Sequence, residues 1–291
     1  MSTIIKILPV LFLLLKTGGA YATADSLVHK KIVYKTVDTS TLHLDVFYDP
    51  AALKRRNNTA LVFIHGGGWA YGSPSEFYGA CRRYAQAGMV TFSVQYRLSK
   101  DAQGNVPVKG ITPVECVKDA RSAVRWVRAH AAEYNIDPQK IVVGGQSVGG
   151  HLSYATAYID QVNEATDDLK VSPMPNAILS YSGTANCLEA WCDMLLGDKR
   201  AQIWSISPAH NVKKGMPPTL AFHGKDDNVV QPWTVQYFKN DTEKLGNHFE
   251  LIVYEGRKHY LGQGNKTYAN LFDEEILLKT DEFLRRYGFL K

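Results

Sequence analysis

Lys140-Ile141-Val142-Val143-Gly144-Gly145-Gln146-Ser147-Val148-Gly149-Gly150-His151 is the stretch that decides the fold. It opens with a short β-branched apolar run, the pattern of a buried parallel strand. Glycines then turn it sharply, and Leu152 to Ala157 reads as a helix. Gly145-Gln146-Ser147-Val148-Gly149 spells G-x-S-x-G, a nucleophile elbow. A serine on a tight strand-to-helix turn has its hydroxyl exposed. The residues two before and two after it approach neighbouring backbone too closely for a side chain, hence glycine at both. The following helix aims its N-terminal amides at the same point, which favours developing negative charge. A phosphate-binding turn is the competing reading. It would need a Gly-Lys-Ser/Thr or a Gly-x-Gly-x-x-Gly opening the helix, and the stretch has neither.

Working outward, strands and helices alternate. Lys31 to Thr36 and Leu42 to Tyr48 alternate apolar with polar, as two antiparallel strands at a sheet edge do. Leu61 to Ile64 is a continuous apolar run that ends in His65-Gly66-Gly67-Gly68-Trp69. Pro74 to Gly88 reads as a helix capped by Ser73, Val90 to Tyr96 as a strand, and Val114 to Tyr134 as a long amphipathic helix. After the elbow helix, Asp160 to Pro175 is a polar loop and Ala177 to Tyr181 a strand. Ser182 to Met216 is an irregular, cap-like insertion. Thr219 to Phe222 is a strand leading into His223-Gly224-Lys225-Asp226-Asp227, and Pro232 to Leu245 is a helix. Phe249 to Tyr254 is the last strand, before His259, and Asn270 to Tyr287 the last helix. This order implies a mostly parallel sheet with helices on both faces, an α/β fold.

The 291 residues are 45% hydrophobic and 21% charged, ordinary for a globular protein. The net charge of +5 is scattered rather than striped, so no nucleic-acid partner is expected. Residues 1–22 read as a signal peptide: Lys6, an apolar core from Ile7 to Leu15, and small residues ending at Ala20 and Ala22. That core is too short to span a bilayer, so no stable membrane association is expected. A secreted or periplasmic protein follows, with residues 23–291 as one catalytic domain. Export permits disulfides. Among four cysteines, Cys187 and Cys192 are close in sequence and form the expected bridge. Cys81 and Cys116 fall on separate helices as buried thiols. No C-x-x-C or H-E-x-x-H occurs, so neither a metal nor another cofactor is expected.

The ordered motifs His65-Gly66-Gly67-Gly68-Trp69, the elbow at Ser147, His223-Gly224-Lys225-Asp226-Asp227, and His259 after the last strand resemble those of the α/β-hydrolases. The likeness covers nearly the whole chain after residue 22. It is similar to the secreted feruloyl and acetyl-xylan esterases and, through His-Gly-Gly-Gly, to the carboxylesterases that share that motif. The chain departs from the latter in offering N-terminal strands rather than cap helices and His-Gly-x-x-Asp rather than Asp-Pro-Leu. It departs from both at Val148, where alanine is usual. The resemblance implies a serine ester hydrolase working through a triad and an acyl-enzyme. An amidase, a peptidase or a general lipase-like carboxylesterase would use the same residues.

Roles follow from position. Ser147 needs a base to take its proton. Of nine histidines, His259 alone follows a strand at the carboxyl edge of the sheet and comes last in the Ser–Asp–His order. His65 and His223 sit in glycine turns as braces, and His151 lies one helical turn past the serine as a packing residue. Asp227 rather than Asp226 fits His-Gly-x-x-Asp-x-x-Val, with Val230 as the valine. Gly67, Gly68 and Val148 supply the oxyanion amides. Trp69, Trp191, Trp233 and Tyr260 flank the motifs and either stack on a sugar or aromatic acid or pack in the core. The short insertion carries Asp193, Asp198, Lys199 and Arg200, unlike an apolar lipase lid. The expected substrate is a small-molecule or oligosaccharide ester of a short-chain acid.

Overall fold

The structure is a computed structural model and describes residues 27–291 apart from 102, 109 and 263–272. The leader expected at 1–22 and the start of the last helix lie outside the described residues. Eight strands form one sheet: β1 (Val28–Val37), β2 (Ser40–Tyr48), β3 (Asn58–Ile64), β4 (Val90–Val94), β5 (Ile136–Gln146), β6 (Ala177–Tyr181), β7 (Thr219–Gly224) and β8 (Phe249–Tyr254). Their order is β1-β2-β4-β3-β5-β6-β7-β8. The β1–β2 and β2–β4 pairings are antiparallel and all the others parallel. This is the mostly parallel sheet expected from the alternation of elements, in the α/β-hydrolase arrangement that the motif resemblance implied.

Among the described residues there are six α-helices: α1 (Tyr78–Gln86), α2 (Pro113–Ala129), α3 (Val148–Tyr158), α5 (Pro232–Lys244) and α6 (Glu274–Arg286) lie against the sheet, and α4 (Ala190–Leu196) packs on α2. Every residue of β3 is buried, because the strand has helices on both faces and its side chains alternate between them. Ala60, Val62 and Ile64 join the core under α2 and α3, with Val117, Val124 and Leu152. Leu61 and Phe63 join the opposite core under α1 and α6, with Tyr84, Phe283 and Leu284.

The helices expected from Pro74 and from Val114 differ from their expected spans, α3 starts earlier than expected, at Val148, and α4 stands in the insertion expected to be irregular. The segment from Pro74 starts as a 3₁₀ turn, Pro74–Phe77, before α1 begins. The expected helix to Tyr134 stops at Ala129. His130 caps it, with Nδ1 2.8 Å from the Trp126 carbonyl and its ring stacked on Trp126. A 3₁₀ turn, Ala131–Tyr134, follows and ends at Asn135 with φ 50°. The N-terminus of α2 is a capping box: the Thr112 amide and hydroxyl both donate to Glu115, and Pro113 fills the first turn.

From β3 the chain adds β4 on one side and then β5 on the other. The carboxyl ends of β3 and β5 are therefore where connections leave in opposite directions, the place where such sheets carry their sites. His65 to Trp69 follows one of these ends and Ser147 the other.

Candidate active site

Ser147 joins β5 to α3 with φ 54° and ψ −120°, a strained conformation for a residue with a side chain. Its surroundings hold it there. The Ser147 amide donates to the Tyr181 carbonyl at 3.0 Å, and its own carbonyl accepts from the His151 amide at 3.1 Å. A Cβ on Gly149 would lie 1.9 Å from the Ile64 carbonyl oxygen, and one on Gly145 2.3 Å from Gly149 backbone. The end of β3 thus presses on the turn, and only glycine admits it.

His259 arrives from the loop after β8. Its Nε2 is 2.9 Å from Ser147 Oγ and its Nδ1 2.8 Å from Asp227 Oδ2. Beside an ionised Asp227 the proton sits on Nδ1, which leaves the Nε2 lone pair facing the serine hydroxyl. Asp227 is 3% exposed. Its Oδ1 accepts from the amides of Val229 and Val230 at 2.8 and 2.9 Å. Oδ2 is shared with His223 Nε2 at 3.2 Å, which also donates to the Val230 carbonyl at 2.8 Å. Burial alone would raise this carboxyl's pKa; hydrogen bonds from His223 and His259 outweigh it and hold the group well below the usual carboxylate range. Asp226 is exposed, and its amide donates to the Arg257 carbonyl at 3.0 Å.

The glycine loop after β3 is braced from beneath. His65 Nδ1 donates to the Gly66 carbonyl at 2.8 Å, and the ring stacks on Tyr96. Burial pushes its pKa down to about 4, so the brace is neutral. The Tyr96 hydroxyl donates to the carbonyls of His65 and Gly66, each at 3.1 Å. Gly67 has φ 107°, open to glycine and costly for other residues. Its carbonyl takes the amides of Ala70 and Tyr71 at 3.1 and 2.8 Å, which turns the loop back on itself. Among the described residues, the amides of Gly67, Gly68 and Val148 have no hydrogen-bond acceptor. They are free to serve a bound oxygen.

The four aromatic residues divide. Trp191 on α4 is 36% exposed, and its indole Nε1 donates to the Gly68 carbonyl at 2.9 Å. Tyr260 is also 36% exposed, edge-on to the His259 ring at 5.7 Å. Trp233 stands exposed on the first turn of α5, paired edge-on with Tyr237. Trp69, offered as a stacking or a core residue, is a core residue and not a substrate-facing one. It is 1% exposed, because a backbone φ of 61° turns it inward, where its Nε1 donates to His151 Nδ1 at 3.3 Å. The expected Cys187–Cys192 bridge is also corrected: both residues are buried thiols. Cys187 Sγ lies 3.1 Å from His151 Nε2 and 3.5 Å from the Ile206 carbonyl and also hydrogen-bonds the Cys192 side chain, so the two cysteines paired by the sequence do meet, as thiols. Gln146 was missed. Its amide Nε2 lies 3.3 Å from His259 Nε2, and nothing in the variable second letter of G-x-S-x-G signals that contact. No group of three or more His, Cys, Asp or Glu suited to a metal occurs among the described residues.

A strained serine, a histidine and a buried carboxylate in hydrogen-bonded series, set beside free amides at the carboxyl edge of a sheet, define an α/β-hydrolase site able to transfer acyl groups. Residues 44–241 match the BD-FAE family, and the chain belongs to it. It thus stands among the α/β-hydrolases. A probable isoprenylcysteine alpha-carbonyl methylesterase of Arabidopsis thaliana is 26% identical over 83% of this chain and 52% of its own length. The chain spans about half the length of such curated relatives. Among solved structures, native esterase 2 of Thermogutta terrifontis is 34% identical, with TM-score 0.80 over 90% of this chain and 93% of that one. Its butyrate-bound form gives TM-score 0.79, at 34% identity over 90% and 95% of the two chains. The same esterase phosphorylated by paraoxon gives 0.78, at 33% identity over 90% and 95%.

Proposed function

We propose that this protein is a serine carboxylesterase acting through Ser147, His259 and Asp227. The observation that carries the reading is the unbroken series Ser147 Oγ–His259–Asp227, at 2.9 and 2.8 Å, on a strained elbow. Ser147 Oγ attacks the ester carbonyl while His259 Nε2 takes its proton. The tetrahedral oxyanion is held by the amides of Gly67, Gly68 and Val148. Collapse breaks the C–O bond, and His259 returns the proton to the leaving alcohol. Water then repeats the sequence on the acyl-enzyme, giving free acid and the original serine. Asp227 stays ionised throughout, orienting the ring and stabilising the imidazolium.

The preferred substrates in this reading are soluble short-chain or carbohydrate-borne esters, acetyl or feruloyl. Two half-exposed aromatic rings, Trp191 and Tyr260, flank the loops of the site. The insertion is small and ion-paired, with Lys199 bonded to Glu115 and Arg200 to Asp193. The butyrate-bound relative supports a short acyl chain. Export, on the leader-like composition of residues 1–22, belongs to the same proposal.

A fluorophosphonate probe should label Ser147, and Ser147→Ala should lose both label and activity. Labelling at another serine overturns the triad. Turnover should be highest on acetyl to butyryl p-nitrophenyl esters and on acetylated or feruloylated oligosaccharides. Anilides and peptides as the better substrates would instead establish an amidase. Higher kcat/KM on emulsified long-chain triglycerides would remove the short-chain reading.

A further inference from the structure

Gln146 closes β5, is 1% exposed, and takes none of the roles assigned above. Its amide is wedged between two walls of the site. On one side Nε2 is 3.3 Å from His259 Nε2, the same nitrogen that Ser147 Oγ approaches at 2.9 Å. On the other, Oε1 fills the space where a Gly66 side chain would stand, 2.3 Å from an ideal Cβ there. That Oε1 is buried and meets no donor among the described residues. An orphaned buried acceptor is costly, and such groups in native sites call for an explanation.

The protonation cycle of His259 supplies one. With Nδ1–H given to Asp227, Nε2 offers a single lone pair, and two donors face it: the serine hydroxyl and the Gln146 amide. The serine loses its proton once it is acylated; the amide does not. We propose that Gln146 is a positioning residue for His259, donating to Nε2 while Ser147 is esterified. When Nε2 carries a proton, the amide turns over and presents Oε1 to it. A terminal amide keeps its shape when its oxygen and nitrogen exchange places, so one buried side chain serves both protonation states. At 3.3 Å it is the weaker partner and yields to the attacking water. The orphaned Oε1 is then the acceptor held ready for the imidazolium.

This inference rests on the triad reading of Ser147 and His259. Among the described residues, the titratable or charged groups facing His259 are Asp227, and Tyr260 edge-on, and His223 reaches it through Asp227. Gln146→Glu keeps the shape but only accepts, which favours the imidazolium. Gln146→Met keeps the bulk and does neither. Steady-state kinetics on p-nitrophenyl acetate across pH should show the acid limb of kcat/KM displaced upward by about one unit in the Glu variant. The Met variant should lose about tenfold in kcat, with KM within twofold and its acid limb unmoved. Circular dichroism checks that each is folded, and if the Glu variant is not, the Met variant decides by its kcat–KM split. Packing alone would leave kcat and the acid limb of both variants as in the wild type, and that result overturns the inference. Ser147→Ala run alongside separates the two failures. Retained activity there removes the triad reading itself, whereas an inactive Ser147→Ala with unaffected Gln146 variants removes only this proposal.

Discussion

Asp226 and Asp227 are neighbours in sequence with opposite surroundings. Asp226 faces solvent, while Asp227 accepts two amides on one oxygen and two histidines on the other. Asparagine at 227 would keep the shape but could no longer balance an imidazolium, and its NH₂ could favour the wrong tautomer of His259. Asp227→Asn should lower kcat on the order of 10⁴-fold. Asp226→Asn should stay within a few-fold of the wild type, and purified variants assayed on one short ester settle it. The contact among Ser147, His259 and Asp227 was legible because each follows a strand end at a spacing the backbone dictates. The valine three residues after Asp227 even supplies an amide to its carboxylate. Trp69 was left open between a substrate-facing and a core-packed ring because where a side chain turns depends on a backbone dihedral, here φ 61°.

At the scale of elements, the loop after β3 depends on the 3₁₀ turn that follows it. Glu76 closes that turn's capping box, accepting from the Ser73 amide at 3.1 Å through Oε1, while Oε2 is buried without a partner among the described residues. Burial raises Glu76 to about 7, against the small opposing effect of the Ser73 hydrogen bond. A carboxyl raised on folding contributes stability that is fully present below its unfolded pKa and lost as pH rises through the folded value. Melting temperature should therefore fall between about pH 5 and pH 8 in the wild type and fall less in Glu76→Gln. Parallel curves for the two proteins would exclude Glu76 as the cause. The strands were easier to read than the helix ends. β3, β4 and β6 are buried throughout and mostly apolar, whereas α2 stops at Ala129 because His130 bonds back to Trp126, a choice with no mark in the apolar periodicity.

Across the molecule, the polar loop from Asp160 to Pro175 proved to be the other half of a buried charge network. Asp119 of α2 accepts from Lys35 at 2.6 Å and from Arg97 at 2.8 Å, and Glu164 pairs with both cations. Arg125 meets Asp167 at 2.8 Å. The network ties β1, the end of β4, α2 and that loop together, although a scan for charge shows only scattered residues. Removing one member leaves the others buried without compensation, so Asp119→Ala should cost about 3–5 kcal/mol in chemical denaturation. Burial of Glu164 favours its proton, but Lys35 and Arg97 outweigh this and lower it from 4.5 to about 2. Its stabilisation is therefore present above pH 4.5 and lost as pH falls toward 2. Glu164→Gln should be less stable at neutral pH and show a shallower acid-induced loss. One contact limits how far this scaffold can be rebuilt. The insertion is bolted to the glycine loop after β3 by the Trp191–Gly68 hydrogen bond, so it is not an interchangeable module. Chimeras that graft a foreign insertion between β6 and β7 should alter turnover on every ester at once, unless the graft brings an indole to the same carbonyl.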